Sequence, residues 1–479
     1  MHTDEQMMNF SAQLNENSQY LQTVMGASSD FVVRNLTLPG SLQIVLFYLD
    51  GMVDKQALQE SIIQCLLERT PLLVNEISIQ SIKTNILNAS EVLSTSSIME
   101  ALDLMLSGAV LLVMDGAGES IVVPMQGWEE RSISESKTQS VVRGPQDSFT
   151  ETLRTNTTLV RRRVKDTRVR VRAIKVGSLT KTDIAFMYVE GLANQELVNS
   201  LQIRLNKANS ENILEGEYLE EILLEKKQLT LFPVFYNTDR PDIIASGILE
   251  GKIAIFIDGT PFVLLAPALF VDFFKSVEDK YQSVIFSNLI RVLRYFALSI
   301  CMLAPSVYIT LTTFHQDMLP TQLLLSLAAQ REGVPFPAFF EAILMEITFE
   351  ILREAGIRMP RTVGQAVSIV GTIVIGQAAV EATIVSAVMV IVVAITAISS
   401  FVIPSYSMSI PIRIVRFGFM ILAASFGMYG LTIGIILLLI HLCHLNSFGV
   451  PYMSPLAPFD KTEQSDGIFR LSFRNKKQP

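Results

Sequence analysis

Hydrophobic and polar positions follow two regimes along this chain. In residues 1–290, short apolar runs alternate with charged segments. Four of these runs end alike: IVLFYLDG (44–51), VLLVMDG (110–116), IAFMYVEG (184–191) and IAIFIDG (253–259). Each is β-branched or aromatic and closes on an acid and a glycine, the pattern of a buried strand entering a turn that needs Gly. The first and third are followed by helical patterns, DKQALQESIIQCLLE and NQELVNSLQIRL; the second and fourth are followed by another strand, SIVVPM and PFVLLAP. Gly51 to Gly116 spans 65 residues and Gly191 to Gly259 spans 68. Strand–helix followed by hairpin, twice at nearly one spacing, predicts two related α/β subdomains. They are placed at 28–140 and 167–290, after a polar segment at 1–27 and separated by a basic linker helix at 141–166.

The linker opens on a chain break, Gly144-Pro145. Ser148 is positioned to cap a helix, with Glu151 completing a capping box and Phe149, Leu153 and Val160 near one side. From Arg161 to Lys175 there are eight basic residues and one acid. RVRVRAIKV alternates as a half-buried strand does, with Arg168, Arg170 and Arg172 on one face. Such a face can meet phosphates, pair with acids of a neighbouring subunit, or stay solvated with local ion pairs. The acidic run EGEYLEEILLEKK (215–227) offers partners within the chain. Arg161, Arg162, Arg163, Arg168, Arg170 and Arg172 are the candidate subunit-contact patch.

The second regime begins near residue 291. Thr362–Ile412 passes 51 residues with one charged side chain, Glu381. A bilayer span takes about 20 apolar residues, so this stretch holds two, with a break expected near Glu381 to Ser386. An all-α multi-pass membrane domain is expected over 291–449. It has about four transmembrane helices (295–314, 363–382, 384–404, 418–445), and GMYG (427–430) is placed to kink the last. Arg291 and Arg294 before the first span and the basic tail, 450–479, put both termini in the cytoplasm. Arg413 and Arg416 then fall in the loop on the far side. Residues 318–356 read as interfacial or re-entrant helices, because Glu341, Glu346 and Glu350 sit among apolar neighbours and need a cavity, a partner or the interface. On a helical wheel of the second span, Ser368, Thr372, Gly376, Ala379 and Thr383 fall within about 60° of Gln365. Gln377 and Glu381 lie nearly opposite, at i and i+4. Gln365, Ser368, Thr372, Gly376, Gln377 and Glu381 are the candidate pore-lining or helix-contact residues. Tight helix packing is the other use of such small polar side chains.

Composition narrows the function classes. The chain has 479 residues, a net charge of −8, 49% hydrophobic and 18% charged residues. That balance argues against a nucleic-acid partner. The three cysteines show no disulfide or zinc spacing, and the start has no signal-peptide pattern. No histidine occurs between Thr3 and Phe314, which excludes a Ser-His-Asp or Cys-His site in the first half. His441, Cys443 and His444 suit an interfacial helix end better than a metal. No Walker loop or GxGxxG occurs. The expectation is a protein that is not an enzyme and needs no cofactor.

Several blocks resemble the A subunit of the GerA family of spore germination proteins. They are GPQDSFTETLRTNTTLVRRR (144–163), RPDIIASGILEGKIAIFIDGTPFVLLAP (240–267), VYITLTTFHQDMLPT (307–321), VPFPAFFEAILMEITFEILREAGIRMP (334–360), IGQAAVEATIVSAVMVIVVAITAISSFVIPSY (375–406) and RIVRFGFMILAASFGMYG (413–430). The resemblance runs from about Ile44 to Gly449. It implies a place in the inner membrane of bacterial spores, beside a B subunit resembling amino-acid permeases and a lipoprotein C subunit. It also implies a homo-oligomer, expected to be a pentamer, that forms a nutrient-gated ion channel, with nutrient recognition mainly in the B subunit. The rivals are a secondary transporter, whose inverted repeats are not visible here, and a membrane scaffold that conducts nothing.

Overall fold

The runs that read as strands form two five-stranded sheets. The structure, a computed structural model, describes residues 9–38, 42–70, 78–127, 143–208, 212–224, 230–360, 376–459, 467, 469 and 470. By packing, the chain divides into two units: 1–226 with 237–267, and 227–236 with 268–479.

In the first unit, β1 (Phe31–Thr37), β2 (Gln43–Leu49), β3 (Leu93–Thr95), β4 (Ala109–Met114) and β5 (Ser120–Pro124) lie in the order β1-β2-β4-β5-β3. The second sheet holds β6 (Val169–Val176), β7 (Thr182–Val189), β8 (Tyr236–Thr238), β9 (Ile253–Ile257) and β10 (Val263–Ala266), in the order β6-β7-β9-β10-β8. Numbered from its own first strand, each sheet has the same order. The central pairs also correspond, with Val45 opposite Val113 and Ala185 opposite Phe256. Gly51, Gly116, Gly191 and Gly259, which close the four strands, have φ of 87°, 80°, 83° and 91°. That left-handed conformation is open to Gly at no steric cost, which is why each strand ends on one.

The first sheet is buried on both faces. Ile44, Leu46, Val110, Leu112, Ile121 and Val123 pack with Leu58, Ile62, Leu66 and Ile82 of the helical segments on one side. Val45, Phe47, Leu49, Leu111, Val113 and Val122 pack with Leu14, Leu21 and Met25 of α1 (Leu14–Met25) and Leu102 and Met105 of α2 (Ile98–Met105) on the other. Alternate residues point to opposite faces, so burial of both removes the polar alternation and leaves the apolar runs seen in the sequence.

The repeat begins earlier than 28 and 167. Helix α3 (Leu153–Arg163) stands to the second sheet as α1 stands to the first. The Leu14 N–H donates to Asp115 Oδ1 (3.2 Å), and the Leu153 N–H donates to Asp258 Oδ1 (3.0 Å). Asn17 bridges Ser11 N–H and C=O as Asn156 bridges those of Thr150. The Gly116 and Gly259 N–H groups close on the Ala12 and Glu151 carbonyls. The segment 141–166 therefore contains the first helix of the second repeat, and 1–27 contains that of the first. Ser148 is not the N-cap: Thr152 holds that position, and the helix starts at Leu153, where a strand-end carboxylate, remote in sequence, takes its first N–H. Helices α4 (Gln195–Lys207), α5 (Gly216–Leu223) and α6 (Pro241–Leu249) complete this repeat.

The second unit is helical: α7 (Val284–Thr313), α8 (Thr321–Arg331), α9 (Ala338–Arg358), α10 (Gly376–Glu381), α11 (Ala387–Val402) and α12 (Tyr406–His444). Among the described residues, α7 and α12 are long and apolar enough to cross a membrane; α11 is apolar but shorter. The α7 helix starts ahead of the expected 295. The break predicted between Glu381 and Ser386 is present: α10 ends at Glu381, Thr383 has φ of 52°, and the Ser386 side chain accepts the Met389 N–H to cap α11.

Helix α12 is a hairpin. Gly427 leaves helical geometry at φ 60°, ψ −137°. A side chain on Gly430 would begin 2.2 Å from the Leu422 carbonyl, and one on Gly434 would begin 2.7 Å from the Phe419 ring. In a straight helix, residues 422 and 430 are about 12 Å apart along the axis at 1.5 Å per residue, so the legs fold back on each other and small residues let them touch. A single span over 418–445 is thereby replaced by a turn at Gly427, which sits against Phe314 and His315 at the end of α7. The returning leg ends where α7 begins. The Leu445 carbonyl accepts the Tyr452 N–H, the Tyr452 carbonyl accepts the Phe270 N–H, and Phe274 stacks on Tyr295.

Candidate functional site

The basic residues singled out from the sequence spend their charge mostly inside the first unit. Arg161 is 2% exposed and crosses from the second repeat to the first. Its Nε and Nη2 donate to Asp30 Oδ2 (2.8 Å) and Oδ1 (3.1 Å), and Nη2 also reaches Ser28 Oγ (3.1 Å). Burial alone raises the Asp30 carboxyl, but the Arg161 charge and the hydrogen bonds from Arg161 and Ser28 outweigh it and hold the group below its ordinary value. Arg170 is buried too; it donates to the Val24 carbonyl (3.1 Å) and pairs with Glu190. Arg154 pairs with Asp50 (3.0 Å), and Thr158 lies over Gly51. The remaining candidates are held locally: Arg163 by Asp147, Arg168 by Asp166, and Arg172 by Gln202 and the Tyr188 ring. Arg162 is partly buried on α3. These pairs draw on Asp30, Asp50, Asp147, Asp166 and Glu190, whereas the sequence pointed to the acidic run at 215–227. The helix bearing Arg161 sits beside the first repeat's turns, so spatial neighbours supply the acids.

The stripe is only partly in view. Gln365, Ser368 and Thr372 lie outside the described residues. Gly376 is buried, facing Val390 of α11. Gln377 and Glu381 are exposed, and the Gln377 amide donates to Glu381 across one turn (2.9 Å). Thr383, the last member of the wheel, is past the end of the helix.

The helical unit holds a second group of charges that the sequence reading distributed otherwise. Glu341 and Glu346 of α9 are 0% exposed and Arg416 of α12 is 1% exposed. Glu341 accepts from the Ser386 N–H and hydroxyl (both 2.9 Å), the start of α11, and pairs with Arg331 of α8 (3.3 Å). Glu346 lies 2.8 Å from Arg416, and Glu350 pairs with Arg413. Arg413 and Arg416 thus sit within a helix leg facing carboxylates, not in an open loop on the far side. Neither carboxylate oxygen of Glu346 receives a hydrogen bond, so its proximity to Arg416 is electrostatic without aligned donors. The signal was in the spacing: 346 and 350 are i, i+4 and 413 and 416 are i, i+3, so each pair shares one helix face. Buried ion pairs of this kind weigh large desolvation against large attraction, and removing one partner strands the other. Chemically the set can hold α8, α9, α11 and α12 in one arrangement. At the returning end of the hairpin, His441 meets Thr230 and Phe232.

A family model for the Bacillus/Clostridium GerA spore germination protein matches residues 19–479. Spore germination protein KA of Bacillus subtilis (strain 168) is 47% identical over 458 residues, covering 95% of this chain and 84% of that protein. Spore germination protein GerLA of Bacillus cereus is 35% identical over 449 residues, covering 93% and 91%. Among solved structures, the N-terminal domain of the A subunit of the Bacillus megaterium spore germinant receptor GerK3 is 33% identical, covering 55% of this chain and 97% of that one, with a TM-score of 0.43. A match that runs through both α/β repeats and the whole helical unit makes this chain a member of the GerA family of spore germination proteins.

Proposed function

We propose that the chain is the A subunit of a nutrient germinant receptor in the spore inner membrane. In this reading it crosses the membrane about four times with both termini cytoplasmic. It works with a permease-like B subunit and a lipoprotein C subunit. Several copies, expected to be five, surround a nutrient-gated ion path that the 363–383 segment lines or supports. The observation that carries the pore is the exposure of Gln377 and Glu381 on a unit whose apolar helices α7, α11 and α12 expose no acid, lysine or arginine. Polar groups at bilayer depth are stable only against protein or water, and one copy supplies neither on that side. Nutrient bound at a neighbouring subunit opens such a path only if the bound state favours the open arrangement. The test is to place bulky or oppositely charged side chains at Gln377 and Glu381, and separately at Gln365 and Thr372 of the opposite stripe, and follow monovalent-ion release from spores given nutrient. Blocked or leaky release is expected; normal release from a correctly assembled receptor would refute the conducting role.

The buried pairs Glu341–Arg331 and Glu346–Arg416 favour a second reading, a scaffold that signals through helix contacts and conducts nothing. Normal ion release with failed germination in pair-breaking variants would support it.

A further inference from the structure

The contact between the two repeats is head-to-tail. The first repeat offers the turn side of its sheet, Asp30, Asp50 and Gly51; the second offers one face of α3, Arg154, Thr158 and Arg161. Each partner has an equivalent on the other repeat. Asp50 and Glu190 occupy the same strand-end position, with N–H groups donating to the Asp30 and Arg168 carbonyls respectively. The second repeat's counterpart of the turn side is therefore Arg168, Glu190 and Gly191. Superposing Asn17 on Asn156 makes Asn15, Gln19 and Gln22 of α1 the counterparts of Arg154, Thr158 and Arg161.

Both counterparts are open. Thr158 Oγ1 lies 2.4 Å from where a Gly51 side chain would start, yet nothing among the described residues lies within 4 Å of the same point on Gly191. Thr158 and Arg161 are buried, while Gln19 and Gln22 are exposed. Leu192, beside the open turn, is 43% exposed, where its counterpart Met52 is 1% exposed. Polarity still matches position by position. Arg168 stands where Asp30 does and would meet Gln22, whose amide oxygen accepts; Glu190 stands where Asp50 does and would meet Asn15, whose amide nitrogen donates.

We infer that the Arg168–Glu190–Gly191 surface of one copy docks the Asn15–Gln19–Gln22 face of α1 in a second copy of this chain, repeating the contact the chain already makes within itself. A contact between two different patches closes into a ring when its rotation allows. This inference rests on the several-copy assembly proposed above and names the surface in the first unit that joins the copies. Amides in place of guanidinium–carboxylate pairs make the contact between copies weaker than the one inside the chain.

The test uses the full-length chain in detergent, with the distribution of masses measured by sedimentation. Gln22→Arg sets a guanidinium against Arg168 of the next copy and is expected to weaken association about tenfold. Adding Arg168→Asp recreates the Arg161–Asp30 pairing between copies and is expected to restore or exceed the original association. Both positions are exposed, and unchanged circular dichroism verifies folding of each variant. A multimer unaffected by either change overturns this contact alone; a wild-type chain that stays monomeric overturns the assembly reading and this contact with it.

Discussion

The Arg161–Asp30 pair offers the sharpest test of how the first unit is held together. Arg161 and Asp30 side chains are 2% and 3% exposed, and the pair is joined by two hydrogen bonds. Ser28 ties it to the next layer, donating to Asp30 while accepting from Arg161 and from the Val171 N–H (3.0 Å). Arg161→Met leaves a buried carboxylate without its counter-charge, a change that costs about 3–5 kcal/mol. At about 1.4 kcal/mol per decade, that is roughly 100- to 4,000-fold in an opening equilibrium. Hydrogen exchange of the full-length chain, read on peptides covering β1 and β6, measures it. Asp30→Asn in the same background removes the stranded charge and is expected to recover most of the loss, giving a large coupling in a double-mutant cycle. The pH dependence has a fixed sign. The native Asp30 carboxyl titrates below its unfolded value, so its contribution is present above about pH 4 and is lost as pH falls through the native value. If Arg161→Met changes protection at β1 and β6 by less than about tenfold, the pair does not hold the repeats and the reasoning fails.

Glu220 behaves in the opposite sense: burial first, then repulsion from Glu217 and Glu215, pushes its carboxyl up to about 8. Its native form keeps a proton the unfolded chain has released, so stability should fall as pH rises from about 4.5 to 8, and Glu220→Gln should flatten that part of a melting-temperature profile. Gly430→Ala places a methyl 2.2 Å from the Leu422 carbonyl and should lower the melting temperature in detergent by the equivalent of about 1–3 kcal/mol, while Gly418→Ala, with nothing within 4 Å, should not. Arg416→Met strands Glu346 and should destabilise the helical unit by about 3–5 kcal/mol, with Glu346→Gln restoring most of it; loss without rescue in thermal melts would show that the pair is not the cause.

The residues differ in how far the sequence alone defined them. The four acid–glycine strand ends were legible because a buried strand and a left-handed turn each constrain residue type locally. The doubled α/β plan follows from their spacing, and the helix break near Glu381 from an interruption in an apolar run. What the chain order could not supply was which distant groups meet. Asp258 caps α3 across 105 residues, so the helix starts where a strand end lies and not where a local capping box reads well. Arg161, Arg170 and Arg416 look like surface charge in sequence but are buried, because their carboxylate or carbonyl partners come from other elements. The hairpin in α12 was half legible: glycine at 427 and 430 permits a bend, but only contact between the two legs makes it a reversal. Local patterns report what one segment tolerates. Burial and pairing depend on the groups that tertiary packing brings within a few ångströms, and there an unpaired charge costs more than any local preference can offset.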